Sequence, residues 1–452
     1  MVFTTLVATG MPNSISKYTP TIKQKEQNKL VSAGLYISLV ITASSIIIIL
    51  ACKNLFNIFA MDNLAYTMLL IMIPALIATG FYSPIRGYFW GKEMFFQSSL
   101  VEFIEQVIRI IICFILFVTI SDNLKYITPS ISISIACVLS SIIGFVIFKK
   151  QKGKISSGKG FYKPLIKSST PITAVRFLGS FIQPLITIIL PLKLIEIGFT
   201  SEQALSELGI TMGMTMPLLS IPFTLIGALS MALIPKVSFM KSNDNYNDLK
   251  KQINSSITFS LIAIFSIVPA FISLGEEICV VIFSNALAGK YLSYATFLMI
   301  PMGISQLTTT ILNAMGFESK TFVYYAVGSV FLLASIWFLP KYLGIMCVLF
   351  GLGISSFITT ILNLHKINKT THLNKYYIKE ILIYSLIAIP CILLTKFIYN
   401  LIIRVLPMFI SVVLSCGISF ISIMLLFICF KVINYEVIAN KIKKLKTKKT
   451  PA

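Results

Sequence analysis

Apolar runs of about twenty residues, the length a helix needs to cross a bilayer, recur along the whole chain between breaks rich in Lys, Pro or Gly. Thirteen such segments can be read: 1–16, 30–51, 64–84, 99–120, 129–148, 171–192, 209–235, 254–274, 293–315, 321–339, 342–363, 380–400 and 406–430. None alternates in the manner of a barrel strand. Backbone N–H and C=O groups in hydrocarbon must be paired within the segment, so these runs predict helices and an all-α polytopic membrane bundle. Amphipathic periodicity adds little, because a helix touching lipid on one side and protein on the other is apolar all round.

Composition agrees and removes several alternatives. The 452 residues are 56% apolar and 12% charged, whereas soluble domains carry about 25% charged residues. A soluble enzyme, a disordered tail and a disulfide scaffold are all excluded. The net charge of +22 does not indicate a nucleic-acid partner, because only four residues are Arg (Arg86, Arg109, Arg176 and Arg404) and the lysines sit in short loops. One alternate set of loops, 17–29, 85–98, 149–170, 236–253, 316–320, 364–379 and the tail from 431, holds 29 basic residues; the opposite set holds seven. That bias predicts a cell-membrane protein with the lysine-rich loops and the C-terminus cytoplasmic. The eight cysteines lack CxxC spacing, and His365 and His372 lie seven residues apart in a Lys-rich loop, so no metal site is expected. No cofactor is expected either.

The first run is too short to cross and would enter from the outer side, which predicts an upstream helix, fourteen spans and both termini inside. A faint repeat runs through the rest. Gly10-Met11-Pro12-Asn13-Ser14-Ile15-Ser16-Lys17 is echoed by Leu233-Ile234-Pro235-Lys236-Val237-Ser238, and Gly91-Lys92-Glu93 by Gly316-Phe317-Glu318, with prolines 223 and glycines 225 residues apart. Both echoes lie six segments apart, an even number, so they predict two parallel six-helix lobes. The expected organisation is an N-terminal lobe over 1–150, a Lys-rich cytoplasmic linker over 151–170, a C-terminal lobe over 171–365, and two extra helices with a basic tail over 366–452. In the tail, Ile438, Ile442 and Leu445 among lysines predict a surface helix on anionic lipid.

A charge at mid-membrane costs about 2.5 kcal/mol or more, so charges within spans point to function. Glu102, Glu105 and Arg109 share one helical stripe; the spacing of four lets Glu105 meet Arg109, and Gln106 adds amide donors beside them. Snorkelling to headgroups is the alternative for the two acids, but Arg109 lies about 15 Å in and is expected to face a polar cavity. Arg176, five residues past Pro171, is either an interfacial residue or the partner of Arg109 across a cleft between the lobes. Two guanidiniums there suit an anionic headgroup, since Arg binds phosphate oxygens bidentately. The seventh run, with Gly213, Pro217, Pro222, Gly227 and Pro235, is expected to be kinked and to line that cavity.

These residues carry a resemblance. Ala8 to Lys17 is similar to the AGxPxAISK stretch of the stage V sporulation protein B group; Ser83-Pro84-Ile85-Arg86-Gly87-Tyr88-Phe89-Trp90-Gly91 resembles its SxxRGxFQG hinge, and Glu105-Gln106-Val107-Ile108-Arg109 its EQxxR. Leu190 to Leu194, Gly213-Met214 and Pro217 to Pro222 resemble its second-lobe pattern, and the likeness runs to about residue 320. Trp90 departs from the hinge glutamine, Glu102 from a frequent Gln, and the first span is absent. The group belongs to the multidrug, oligosaccharidyl-lipid and polysaccharide exporter superfamily. The resemblance implies alternating-access flipping of polyprenyl-diphosphate-linked oligosaccharide for wall, spore cortex or surface polysaccharide. Arg86 joins Arg109, Arg176, Glu102, Glu105 and Gln106 as candidate substrate-binding residues. A coupling cation using Glu102 or Glu105 would instead fit a multidrug exporter. A truncated inactive copy is a further reading, whereas a sugar-transferring membrane enzyme finds no paired acidic constellation in the outer loops.

Overall fold

The computed structural model describes residues 10–51, 63–373, 375–430 and 432. The first nine residues of the opening run and the proposed surface helix at Ile438, Ile442 and Leu445 lie outside them. Helices make up nearly all of the rest, with no strand among the described residues. They are α1 (Gly10–Tyr18), α2 (Gln24–Ala51), α3 (Asn63–Ile71), α4 (Ile73–Gly91), α5 (Phe95–Thr119), α6 (Thr128–Lys150) and α7 (Tyr162–Glu196). There follow α8 (Ser201–Gly209), α9 (Met216–Leu219), α10 (Ile221–Ser242), α11 (Tyr246–Phe265), α12 (Val268–Phe283) and α13 (Ala286–Ala295). The chain continues through α14 (Met299–Ala314), α15 (Glu318–Phe338), α16 (Pro340–Leu343), α17 (Met346–Thr371), α18 (Ile378–Ile402) and α19 (Met408–Cys429). Among the described residues, eleven helical stretches are long and apolar enough to cross a membrane, rather than the thirteen runs read from sequence. The chain is a multi-pass membrane protein. Helix α5 is 25 residues long and carries Glu102, Glu105 and Arg109 within its apolar stretch.

Several expected boundaries move. The linker expected over 151–170 is already helical from Tyr162, so Pro171 lies inside α7. The outer loop expected over 275–292 is mostly the end of α12 and the start of α13. Arg86, assigned by sequence to a loop, stands inside α4. The kinked seventh run is found as a π-helical turn over Ile210–Thr215, then α9, then a break at Ser220 before α10. Pro217 and Pro222 supply no N–H at those joints, which is why the hydrogen-bond ladder breaks there.

The chain forms two compact units that interleave in sequence: residues 1–185, 228–253 and 308–329, and residues 186–227, 254–307 and 330–452. In the first, Met11, Ile15, Leu30, Tyr82, Phe89, Phe148 and Leu165 build a buried core from α1, α2, α4, α6 and α7. Small residues let these helices approach closely, the usual device where lipid gives apolar contacts no advantage. A Cβ on Gly87 would lie 2.7 Å from the Pro12 backbone, and one on Gly144 2.3 Å from the Tyr82 ring. The start of the linker is fixed on α2, with Ser156 N–H donating to Ser32 Oγ at 2.8 Å and Lys154 N–H to Asn28 Oδ1 at 3.2 Å. In the second unit, Tyr384 stands between Phe265 and Phe427, ring centroids 5.7 and 5.2 Å away, and ties α18 and α19 to α11.

Many hydroxyls within spans are silent to their neighbours. Thr42, Ser45 and Thr395 each donate to the carbonyl four residues earlier, at 2.7–2.8 Å. Polar atoms enter the bilayer in this way without an outside partner.

Close packing at Gly87 gives a test. Gly87→Ala should lower stability by about 1–3 kcal/mol through overpacking against Pro12. Gly417→Ala, where nothing lies within 4 Å of the new Cβ, should be neutral or slightly stabilising. Thermal unfolding of both variants in detergent measures the difference.

Candidate functional site

Helix α5 follows a tight reversal at Glu93, whose φ of 57° places it in the left-handed region. Its hydrophobic stripe faces outward, with Phe103, Ile110, Phe114 and Phe117 exposed as lipid-facing residues would be. The polar stripe turns toward α4 and α6. There Arg109 Nη2 donates to Glu105 Oε1 at 2.6 Å, the contact that the spacing of four allows. Ser140 Oγ of α6 donates to the other carboxylate oxygen at 3.1 Å, and Cys137 Sγ reaches Glu105 Oε1 at 3.6 Å. One turn nearer the start of α5, Glu102 Oε1 lies 3.6 Å from Arg86 Nη1 of α4. The Arg86 guanidinium also lies over the Trp90 ring, 5.1 Å from its centroid, and Trp90 Nε1 donates to Ser98 Oγ at 3.0 Å.

This row is electrically balanced, with two carboxylates and two guanidiniums in facing pairs. Arg109 is therefore not a bare cation awaiting an anion. Its Nε is buried without a hydrogen-bond partner, while Glu105 is held by two further donors on α6. A competing anion could draw Arg109 away and leave Glu105 with Ser140 and Cys137. Gln106 is exposed and makes no hydrogen bond within the described residues.

Arg176 is differently placed. It is the fifteenth residue of the 35-residue helix α7 rather than a residue at its mouth. Its side chain is exposed and takes part in none of the ion pairs among the described residues. The phenol of Tyr325 on α15 is its electrostatic neighbour, and α15 comes close to α7 at Gly179, where a Cβ would lie 2.9 Å from Tyr325 Oη. No hydrogen bond or ion pair joins Arg176 to Arg109. The structure thus gathers Arg86, Glu102, Glu105 and Arg109 into one row and leaves Arg176 as an uncompensated cation elsewhere.

Sequence reasoning missed a second charged cluster. Lys17 at the end of α1 is ion-paired with Glu318 at the start of α15, both buried. The signal was present: Lys17 closes one repeated stretch and Glu318 the other, but both had been assigned to loops.

Residues 1–241 match the family described as polysaccharide biosynthesis protein. Stage V sporulation protein B of Bacillus subtilis (strain 168) is 29% identical over 261 residues, 52% of this chain and 49% of that protein. Lipid II flippase MurJ of the same organism is 24% identical over 309 residues, 60% of this chain and 55% of that one. The chain thus spans about half the length of the curated relatives it matches. In fold it is similar to the Vibrio cholerae MATE transporter VcmN in the bent form, with a TM-score of 0.68, 14% identity, and coverage of 82% of this chain and 85% of that one.

The row on α5 makes a measurable claim about coupling. Arg109→Met and Glu105→Met should each destabilise the protein by leaving a charge unpaired. The double variant should be less damaged than the sum, by about 0.5–3 kcal/mol. Thermal unfolding of the four proteins in one detergent reads that interaction directly.

Proposed function

The chain belongs to the polysaccharide biosynthesis protein family, and from that premise we propose that it moves a polyprenyl-diphosphate-linked oligosaccharide across the cell membrane by alternating access. The observation that carries the reading is Arg176, an exposed guanidinium near the middle of a long membrane helix with no carboxylate beside it. Such a group is costly in a bilayer unless water or an anion meets it. A diphosphate offers planar pairs of oxygens that a guanidinium engages bidentately. In this scheme Arg176 takes the diphosphate first, and Arg109 adds a second guanidinium when Glu105 passes to Ser140 and Cys137. Sugar hydroxyls find donors and acceptors along Arg86, Glu102 and Gln106, while the lipid tails stay in hydrocarbon. Anionic lipids are attracted to the lysine-rich loops, which the charge bias assigns to the cytoplasmic side. The likeness to lipid II flippase MurJ supports a lipid-linked cargo.

A second reading, cation-coupled drug export, draws on the half-exposed carboxylate of Glu102. That acid stands beside Arg86, so a cation there would have to displace a guanidinium. Dye efflux that depends on Glu102 and leaves surface polysaccharide unchanged would favour this reading.

The leading proposal is tested in a strain lacking its own flippase. Arg176→Ala should abolish complementation while the protein still reaches the membrane at normal abundance. Arg176→Lys should restore only part, because a single ammonium replaces the forked contact. Full activity of Arg176→Ala removes the assigned role.

A further inference from the structure

The buried pair Lys17–Glu318 lies where the two echoed sequence stretches meet. Helix α1 ends at Tyr18 and α15 begins at Glu318, so a cation occupies a helix C-terminus and an anion a helix N-terminus. Both placements are favoured by the helix dipoles. Glu318 is 6% exposed and Lys17 9%, so the pair is shut away from water. Ser168 Oγ of α7 donates to the same carboxylate oxygen at 2.5 Å, and Ser14 Oγ donates to Ser168 Oγ at 3.2 Å. Burial first, and then the Glu318 carboxylate, push the neighbouring Tyr18 phenol above its ordinary value. The backbone joins in, because Ser238 Oγ of α10 donates to the Lys17 carbonyl at 2.7 Å.

The arrangement is lopsided despite the repeat. Lys241, near the end of α10, donates to the Met315 carbonyl and lies over the Phe317 ring, 4.4 Å from its centroid. Lys17, from one echoed stretch, and Lys241, just past the other, therefore clasp the single turn Met315 to Glu318. Gly316 lets the chain reverse there with a φ of +87°. The matching turn at Gly91-Lys92-Glu93 has no such clasp: Glu93 is exposed and belongs to none of the ion pairs among the described residues.

A purely structural joint would be expected to use apolar packing, since a buried ion pair gives little net stability over hydrophobic side chains of similar volume. Ions have another property. When the contact opens to water, both regain hydration, whereas parted apolar faces would lose free energy. A charged joint is thus suited to two states of similar energy, one dry and one wet.

Resting on the transporter reading, we propose that Lys17 and Glu318, seated by Ser168 and Ser14, form a one-sided latch within the first compact unit. It holds the lysine-rich ends of α1 and α15 together and must part before cargo can enter from that end.

The test needs no cargo. In a variant with all eight native cysteines replaced, Ser14→Cys is exposed to a membrane-impermeant maleimide in right-side-out and inside-out vesicles. Labelling should be slow from both faces while the latch is intact. Glu318→Gln should speed it about tenfold or more from one face only, because an ammonium is left buried without its counter-ion. The paired substitution Lys17→Met with Glu318→Leu should label slowly again yet, made in the protein with its native cysteines, lose complementation, as a joint that closes and cannot hydrate. Should Glu318→Gln fail to reach the membrane, Lys17→Gln supplies the same readout. Equal labelling of the latch variants and the parent overturns the proposal, as does an apolar pair that still complements fully. If labelling responds as expected but no flippase strain is rescued by the parent, the latch stands and the cargo assignment falls.

Discussion

Charge in hydrocarbon has to be answered within a few ångströms, and that constraint shapes the charged clusters of this chain. Each solution seen here answers it differently. Glu105 and Arg109 satisfy one another along a single helix, with α6 adding donors. Arg86 answers Glu102 from the neighbouring helix and rests on an indole face. Lys17 and Glu318 answer across helix ends. Arg176 alone among these residues has only a phenol nearby. The contrast between a balanced row and an unanswered cation says more about where an anion could be held than the number of arginines does.

The close helix packing rests on small residues. Gly87 brings α4 against the Pro12 backbone, and Gly144 and Gly34 leave room for the Tyr82 ring and the Ile15 side chain. The π-helical turn at Ile210–Thr215 belongs to the other unit and interrupts a helix whose prolines already prevent a regular ladder. Such turns break the hydrogen-bond ladder at fixed places between regular rods.

Much of this was legible in the sequence. Run length dictated the helices, because the bilayer permits little else, and the spacing of Glu105 and Arg109 foretold their contact. The kinks in the seventh run followed from its prolines. Other features were not legible for identifiable reasons. Helix ends such as Tyr162 and Ser242 extend beyond the apolar run, and hydropathy cannot see a helix that continues into water. Arg86 was misplaced on that account. The partner of Lys17 lies 301 residues away, and only the fold brings such positions together. The likeness of Lys17 and Glu318 to members of one repeat was visible, but a repeat says which positions are equivalent and not which ones touch.

The hydroxyls that bond only to their own helix have a consequence for how such proteins diverge. When Ser45 or Thr42 is exchanged for alanine, the carbonyl it served keeps its ordinary backbone donor, and nothing is orphaned. One nucleotide change separates most serine and threonine codons from alanine, so these positions can wander freely over generations. Ser168 and Ser140 lack that freedom because their acceptors are carboxylates on other helices. The same scaffold can be built from very different residues, as the 14% identity and TM-score of 0.68 shared with a Vibrio transporter illustrate.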